Sequence, residues 1–247
     1  MKIATRAYLS IQHVQGLSYL HREAHRLRDV LAADRNDANR SAYRAICASA
    51  IFTSGAFLEA LINEIYAEIV DGGPHIDVGR TSEMVRALWR RDIPRTARFA
   101  TLEKYQILLD ILGKPAFEAG ASHYQDADAV VRLRNALIHY EPESVVIMSA
   151  DPNELTIQKM QKQLSGKFPQ DDFENGFFSF FPDRCLCAGS VAWAKRSVID
   201  FADEFFRRID HAPIYNHVRD DGKKPNPLQG TPAKAPSSSI EPDGRRS

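Results

Sequence analysis

The sequence predicts an all-α fold, a bundle of long antiparallel helices followed by a polar tail. Three observations predict it. Apolar residues recur at spacings of three and four through most of the first 210 positions, the period of a helix rather than a strand. Clusters of Gly, Pro, Asn and Asp separate these stretches. Only one short segment, residues 144 to 148, reads as a strand.

Residues 2 to 33 form the first predicted helix, with Leu9, Gly16, Leu20, Ala24, Leu27 and Leu31 as its apolar stripe. Asp34-Arg35-Asn36-Asp37 ends it. Residues 41 to 70 form the second. Ile46, Ala50, Thr53, Phe57, Leu61 and Ile65 mark its face, and Leu58, Ile62 and Ile69 widen it. Asp71-Gly72-Gly73-Pro74 stops it, because glycine supplies a left-handed cap and proline cannot continue the ladder. Thr81 or Ser82 caps a short third helix to about Arg91, and Pro94 closes that segment. A fourth spans residues 100 to 112, with Leu102, Tyr105, Ile107, Leu108, Ile111 and Leu112 apolar, and ends at Gly113-Lys114-Pro115. A fifth runs from about Asp126 to Tyr140 on Ala129, Val130, Leu133, Ala136, Leu137 and Tyr140. Pro142 biases Glu141 out of helical geometry.

Between Glu143 and Asp183 the pattern weakens. Ser144 to Met148 reads as the short strand, and Glu154 to Leu164 as a helix. Phe168 to Phe181 reads as a loop that packs through Phe173, Phe177, Phe178, Phe180 and Phe181 beneath the last helix, near Trp193. That helix fits residues 184 to 210, with Ala188, Val191, Ala194, Val198, Phe201 and Phe205 inward. From Arg219 onward Pro, Gly, Ser and charge dominate, and such a segment buries too little apolar surface to offset chain entropy. The expected organisation is one domain over residues 1–218 and an unstructured tail over 219–247.

No run approaches the roughly 20 apolar residues of a membrane span, so no membrane association is expected. Residues 1 to 6 lead into a polar segment without a signal-peptide core. The three cysteines, Cys47, Cys185 and Cys187, suit a reducing compartment and buried structural roles. A cytoplasmic location is the expectation. Lys plus Arg and Asp plus Glu number 32 each, so bulk charge does not advertise a nucleic-acid binder. Local charge is less even. Arg80, Arg86, Arg90, Arg91, Arg95 and Arg98 face only Glu83 and Asp92. They read either as a phosphate-facing stripe, with Arg86, Arg90 and Arg91 as RNA contacts, or as a solvated helix face.

The candidate catalytic residues are Arg134, Asn135 and His139. On a helix Asn135 and His139 share a face, and Arg134 lies about 140° from His139 but has the length to reach round. The helix is expected to end near His139, at the carbonyl end of the helix dipole where cations are favoured. An imidazole that exchanges protons near neutrality beside a fixed guanidinium suits phosphodiester chemistry. The dull alternative is a capping His and a surface Arg.

Arg134-Asn135-Ala136-Leu137-Ile138-His139-Tyr140 resembles the motif of HEPN domains: Arg, a polar residue, three further residues, then His. Phe57-Leu58-Glu59-Ala60-Leu61-Ile62-Asn63-Glu64 resembles the second helix of many HEPN-like proteins. The order of Gly166-Lys167-Phe168, Phe181-Pro182-Asp183-Arg184-Cys185-Leu186 and Ala192-Trp193-Ala194 after the motif is similar to a group of bacterial HEPN-like proteins. The likeness covers about residues 40 to 210. It implies a HEPN-like helical bundle that forms a homodimer, with two motifs meeting across the interface to cut RNA without metal or other cofactor. Arg134 would hold the scissile phosphate, His139 would act as general acid or base for attack by the 2′-hydroxyl, and Asn135 would orient the phosphate or the ring. A toxin or defence effector with an antitoxin or partner protein fits that resemblance. So does a non-catalytic scaffold binding RNA, nucleotide or a partner protein.

Other constellations carry less. His21-Arg22-Glu23-Ala24-His25 lacks the Glu directly after the first His that zinc proteases need, so it reads as a solvated face. Cys185 and Cys187 have no second pair for a zinc knuckle. Glu59, on an otherwise apolar helix, either pairs with Arg134 or Arg132 or faces solvent.

Overall fold

The computed structural model describes residues 6–94, 99–174 and 178–219. All regular structure among them is helical: α1 (Leu9–Ala33), α2 (Asp37–Asp71), α3 (Ser82–Trp89), α4 (Thr101–Ile111), α5 (Ser122–Ile138), α6 (Lys159–Leu164) and α7 (Ala188–Arg208). The link from α1 to α2 is three residues, so the two longest helices pack antiparallel as a hairpin. α2 is the central element and touches α1, α3, α4, α5 and α7.

Asn36 begins α2 by accepting a hydrogen bond from the Asn39 N–H at 2.8 Å. Gly72 ends it in the left-handed conformation, φ 66°, as the Gly-Gly-Pro signal predicts. Between these caps one broad face of α2 is buried, from Tyr43 and Cys47 through Phe57 and Leu61 to Ile69. By length and composition it is apolar enough to cross a membrane, which the search for an unbroken apolar run did not anticipate. Here half of its most apolar window is buried inside the bundle.

Three carboxylates interrupt α2, and each meets donors from another segment. Glu59 accepts from the Thr101 hydroxyl at 2.7 Å and from the Lys104 ammonium. This corrects the expected alternatives of Arg134, Arg132 or solvent. Glu64 accepts from the backbone N–H of Ser10 at 3.0 Å and from its hydroxyl, so it serves the first turn of α1. Glu68 accepts from Arg6 at 2.9 Å, from the Tyr8 hydroxyl and from the His75 N–H at 3.2 Å. A Cβ at Gly73 would collide with that carboxylate.

The Glu64 contact shifts the register of α1. Ser10, Val14, Leu17, Ser18, Ala24 and Leu31 are buried, whereas Leu9, expected inward, is 51% exposed. α1 starts at Leu9 rather than near residue 2, and residues 2 to 5 lie outside the described residues. α7 follows its predicted face, with all six expected residues buried, but starts at Ala188. The preceding Phe180–Arg184 forms a separate turn, and Cys187 caps α7 through Sγ on the Ser190 N–H at 3.4 Å. The three cysteines are free and buried, and burial pushes their thiols up.

The middle of the chain departs furthest from expectation. Residues 144 to 148 form no strand. Val146 and Thr156 exchange two hydrogen bonds, at 3.0 and 3.1 Å, and Ile147 and Met148 stay exposed without a ladder. α6 is shorter than expected because residues 155 to 158 are not helical. The Gln158 amide there accepts from the Phe181 N–H at 2.8 Å and donates to the Phe181 carbonyl at 2.9 Å. Of the aromatic set, Phe180 is buried, Phe181 and Phe178 are half-buried, and Phe177 lies outside the described residues. Phe168 takes the place beside Trp193, ring centroids 5.5 Å apart. Phe178 instead lies under the Arg40 and Arg44 guanidinium groups. Arg219, expected to open the tail, binds Asp203 at 2.6 Å and stacks on Tyr215, so the folded part includes it. The rest of the predicted tail lies outside the described residues.

Lys104 is fully buried, yet its ammonium meets Glu59 and Asn63 Oδ1. Burial raises the Glu59 carboxyl, but the hydrogen bonds from Lys104 and Thr101 outweigh it, and the net direction is down from 4.5. A depressed carboxyl stabilises the fold above its unfolded value, and that contribution is lost as pH falls through the folded one. Lys104→Met should therefore lower stability at neutral pH and flatten the loss of stability on acidification below about pH 4.5. The cost should stay below the roughly 3–5 kcal/mol of a fully buried broken pair, because the Glu59 side chain keeps 39% exposure. Urea unfolding of both proteins from pH 3 to 7 measures this, and parallel curves would contradict it.

Candidate active site

α5 carries the motif on its last turn. The helix runs from Ser122 to Ile138, starting four residues earlier and stopping two earlier than expected. His139 is the capping residue, φ −104° and ψ 49°, and its N–H donates to the Asn135 carbonyl at 2.8 Å. At about 100° per residue, Arg132, Asn135 and His139 fall within about 60° of each other, and Arg134 points about 100–160° away from them. All three of the former are exposed, whereas Arg134 is half-buried.

The stem of Arg134 crosses α2 at Gly55. A Cβ there would lie 3.1 Å from Arg134 Cγ and 3.3 Å from Cδ. Gly55 thus leaves the groove that the stem occupies. Arg134 Nη1 donates to Asn135 Oδ1 at 2.9 Å, and Arg134 Nε is buried with no partner among the described residues. Among those residues the guanidinium is held by its own neighbour and by no carboxylate, so they leave its positive charge uncompensated at hydrogen-bond range. An anion-binding arginine needs that condition. Among the described residues no hydrogen bond reaches the His139 ring. The structure brings Arg134 and Asn135 into direct contact and joins His139 to them through the backbone. Ile138 and Tyr140, on either side of His139, are 47% and 46% exposed.

A cavity of about 310 Å³ opens beside the motif, between α5 and α6. Arg132, Asn135, Glu143, Lys159, Gln163 and Phe181 contribute to its wall. Asn135 alone of these was singled out from the sequence as a site residue. Arg132 shares α5 with it, and the others come from three separate segments that only the path from Glu143 to Phe181 gathers.

The arginine stripe divides. Arg86 is half-buried, its Nε donating to the Val70 carbonyl at 2.8 Å at the end of α2 and its Nη1 pairing with Glu83 at 2.5 Å. Arg90 and Arg91 are exposed. Arg95 and Arg98 lie outside the described residues. His21 and His25 are half-buried rather than solvated, rings edge to face at 4.8 Å. Burial, then the neighbouring His25, lowers the His21 imidazole.

No family model, curated protein or solved structure matches this chain. The site is read from its own geometry.

Arg86 joins α3 to the carbonyl end of α2, so Arg86→Ala should lower stability by about 1.5–3 kcal/mol, the scale of a hydrogen bond to a charged donor. The Arg90→Ala, Arg91→Ala double variant should stay within about 0.5 kcal/mol of the parent. Thermal unfolding ranks the two, and equal effects would put all three arginines on the same footing.

Proposed function

We propose that this chain is a HEPN-like, metal-independent endoribonuclease that works as a homodimer, in the manner of a toxin or defence effector. The observation that carries the reading is the Arg134 guanidinium. Its stem rests in a groove left by Gly55, Asn135 orients it, no carboxylate among the described residues neutralises it, and an exposed His139 follows on the same helix end. The exposed Ile138 and Tyr140 beside His139 supply apolar surface for a second copy at the motif.

In that arrangement Arg134 holds a non-bridging oxygen of the scissile phosphate. Two motifs facing one phosphate supply two imidazoles. One takes the proton of the 2′-hydroxyl as its oxygen bonds to phosphorus. The other gives a proton to the 5′-oxygen as the phosphorus–oxygen bond to it breaks. The products are a 2′,3′-cyclic phosphate and a 5′-hydroxyl. The guanidinium stabilises the charge that builds on phosphorus oxygens between these steps.

His139→Ala should slow cleavage by about 10²–10⁴-fold, the usual contribution of a positioned proton-transfer group. The fold and dimer should be intact. Arg134→Ala should lose cleavage and part of the RNA affinity. A chelator should not inhibit. Mixed RNA, gel analysis of the ends and light scattering test all of this together. A folded His139→Ala variant that cuts like the parent would sink the reading. Parent protein that binds RNA without cutting it would favour a non-catalytic scaffold. Loss of Arg90 and Arg91 should weaken RNA binding evenly across sequences and flatten its salt dependence.

Gly55 offers an independent check. Alanine at a helix interior is favoured over glycine by about 1 kcal/mol, but here its Cβ would press on the Arg134 stem. Gly55→Ala should keep a near-parental melting temperature while cutting RNA more slowly. Unchanged cleavage would show that the stem position does not matter.

A further inference from the structure

We propose that the cavity between α5 and α6 receives one unstacked base of the RNA strand, and that Glu143 makes guanine the preferred base. The proposal rests on the ribonuclease reading for its substrate and deepens it.

The cavity adjoins the motif from two directions. Asn135 lines it while accepting the Arg134 guanidinium, and Tyr140, next to His139, packs on the lining Phe181 with ring centroids 5.8 Å apart. A strand whose phosphate lies at Arg134 and His139 therefore has a recess beside it. At about 310 Å³ the recess lies at the lower end of small-ligand sites, which run from roughly 300 Å³.

Its lining has the parts that hold a splayed base. Phe181 is the one aromatic side chain among the described lining residues, and the Gln158 amide grips its backbone on both sides, so its position is fixed before any ligand arrives. Arg132 adds a guanidinium held by Asp128 at 2.7 Å. Stacking on aromatic and guanidinium planes is the usual way proteins hold single-stranded bases.

Polar groups supply the selection. The Gln163 amide is half-buried, and no protein group among the described residues hydrogen-bonds it. Glu143 is exposed, and among the described residues its one hydrogen bond is a long one, 3.5 Å, from Gln158. A carboxylate can only accept. Guanine places two donors, N1–H and the exocyclic amine, side by side on one edge. The other three bases do not.

The test uses nucleosides, which carry no phosphate and so ignore Arg134. Guanosine, adenosine, cytidine, uridine and free ribose are titrated into the full chain by ligand-observed NMR, with inorganic phosphate as a separate arm. Guanosine should bind several-fold tighter than the other nucleosides. Glu143→Gln, on an exposed side chain, should erase that preference. Phe181→Leu, checked for an unchanged melting temperature, should weaken nucleoside binding by about tenfold. His139→Ala should bind guanosine like the parent. Guanosine that binds no better than ribose, or that binds equally to both pocket variants, overturns the proposal. Because the readout needs no cleavage, an inactive parent with the expected guanosine binding would leave the pocket standing and remove only the ribonuclease reading.

Discussion

A charged group on a buried helix has to find partners, and α2 carries three such groups. Glu59, Glu64 and Glu68 lie among the apolar residues in the second half of α2, where a buried carboxylate without partners would cost several kcal/mol. Each is satisfied by donors from a different part of the chain: Lys104 and Thr101 of α4, the first turn of α1, and Arg6, Tyr8 and the His75 backbone. These contacts are directional where apolar packing is not. They fix how α1 and α4 sit along the central helix. α5 then packs on the same helix, and its depth is set at Gly55, where the Arg134 stem crosses.

The long helices were legible in the sequence because their apolar spacing records burial directly. Of the residues expected inward, all six on α7 and all but Ile46 and Thr53 on α2 are buried, and Gly72 stops α2 where the glycine pair suggested. The register of α1 did not. Its buried Ser10 looks like a surface residue until the Glu64 contact is known, and that contact joins positions 54 apart. Glu59 was noticed as out of place, but its partner Lys104 lies 45 positions on, in a helix read only through its apolar residues. The segment from Glu143 to Phe181 was the least legible. Its shape depends on one glutamine side chain that holds a distant backbone, and such a bond leaves no periodic trace.

The same limits applied at the site. Arg134, Asn135 and His139 are adjacent in sequence and on one helix, so a local pattern sufficed to pick them out. The groove that holds the Arg134 stem is set elsewhere, at Gly55 on α2, which reads as an ordinary small residue in an apolar run. Glu143, Gln163 and Phe181 join the neighbouring cavity only through the tertiary path. Arg86 shows the opposite error. It looked like one of several equivalent surface charges, and the fold uses it to satisfy the last carbonyls of α2.

The amide clamp of Gln158 on Phe181 has a further consequence for how this domain can diversify. The chain leaves the bundle just after His139 and is pinned again at Gln158, and between these points almost nothing is buried. Closing such an excursion costs entropy that grows only with the logarithm of its length. Insertions or deletions between Ser144 and Leu155 are therefore cheap, and they leave both anchors in register with α5. Related chains would be free to vary this stretch in length and chemistry while keeping the helix end beneath it unchanged. This excursion is the part of the molecule best placed to take on new sequence without refolding the rest.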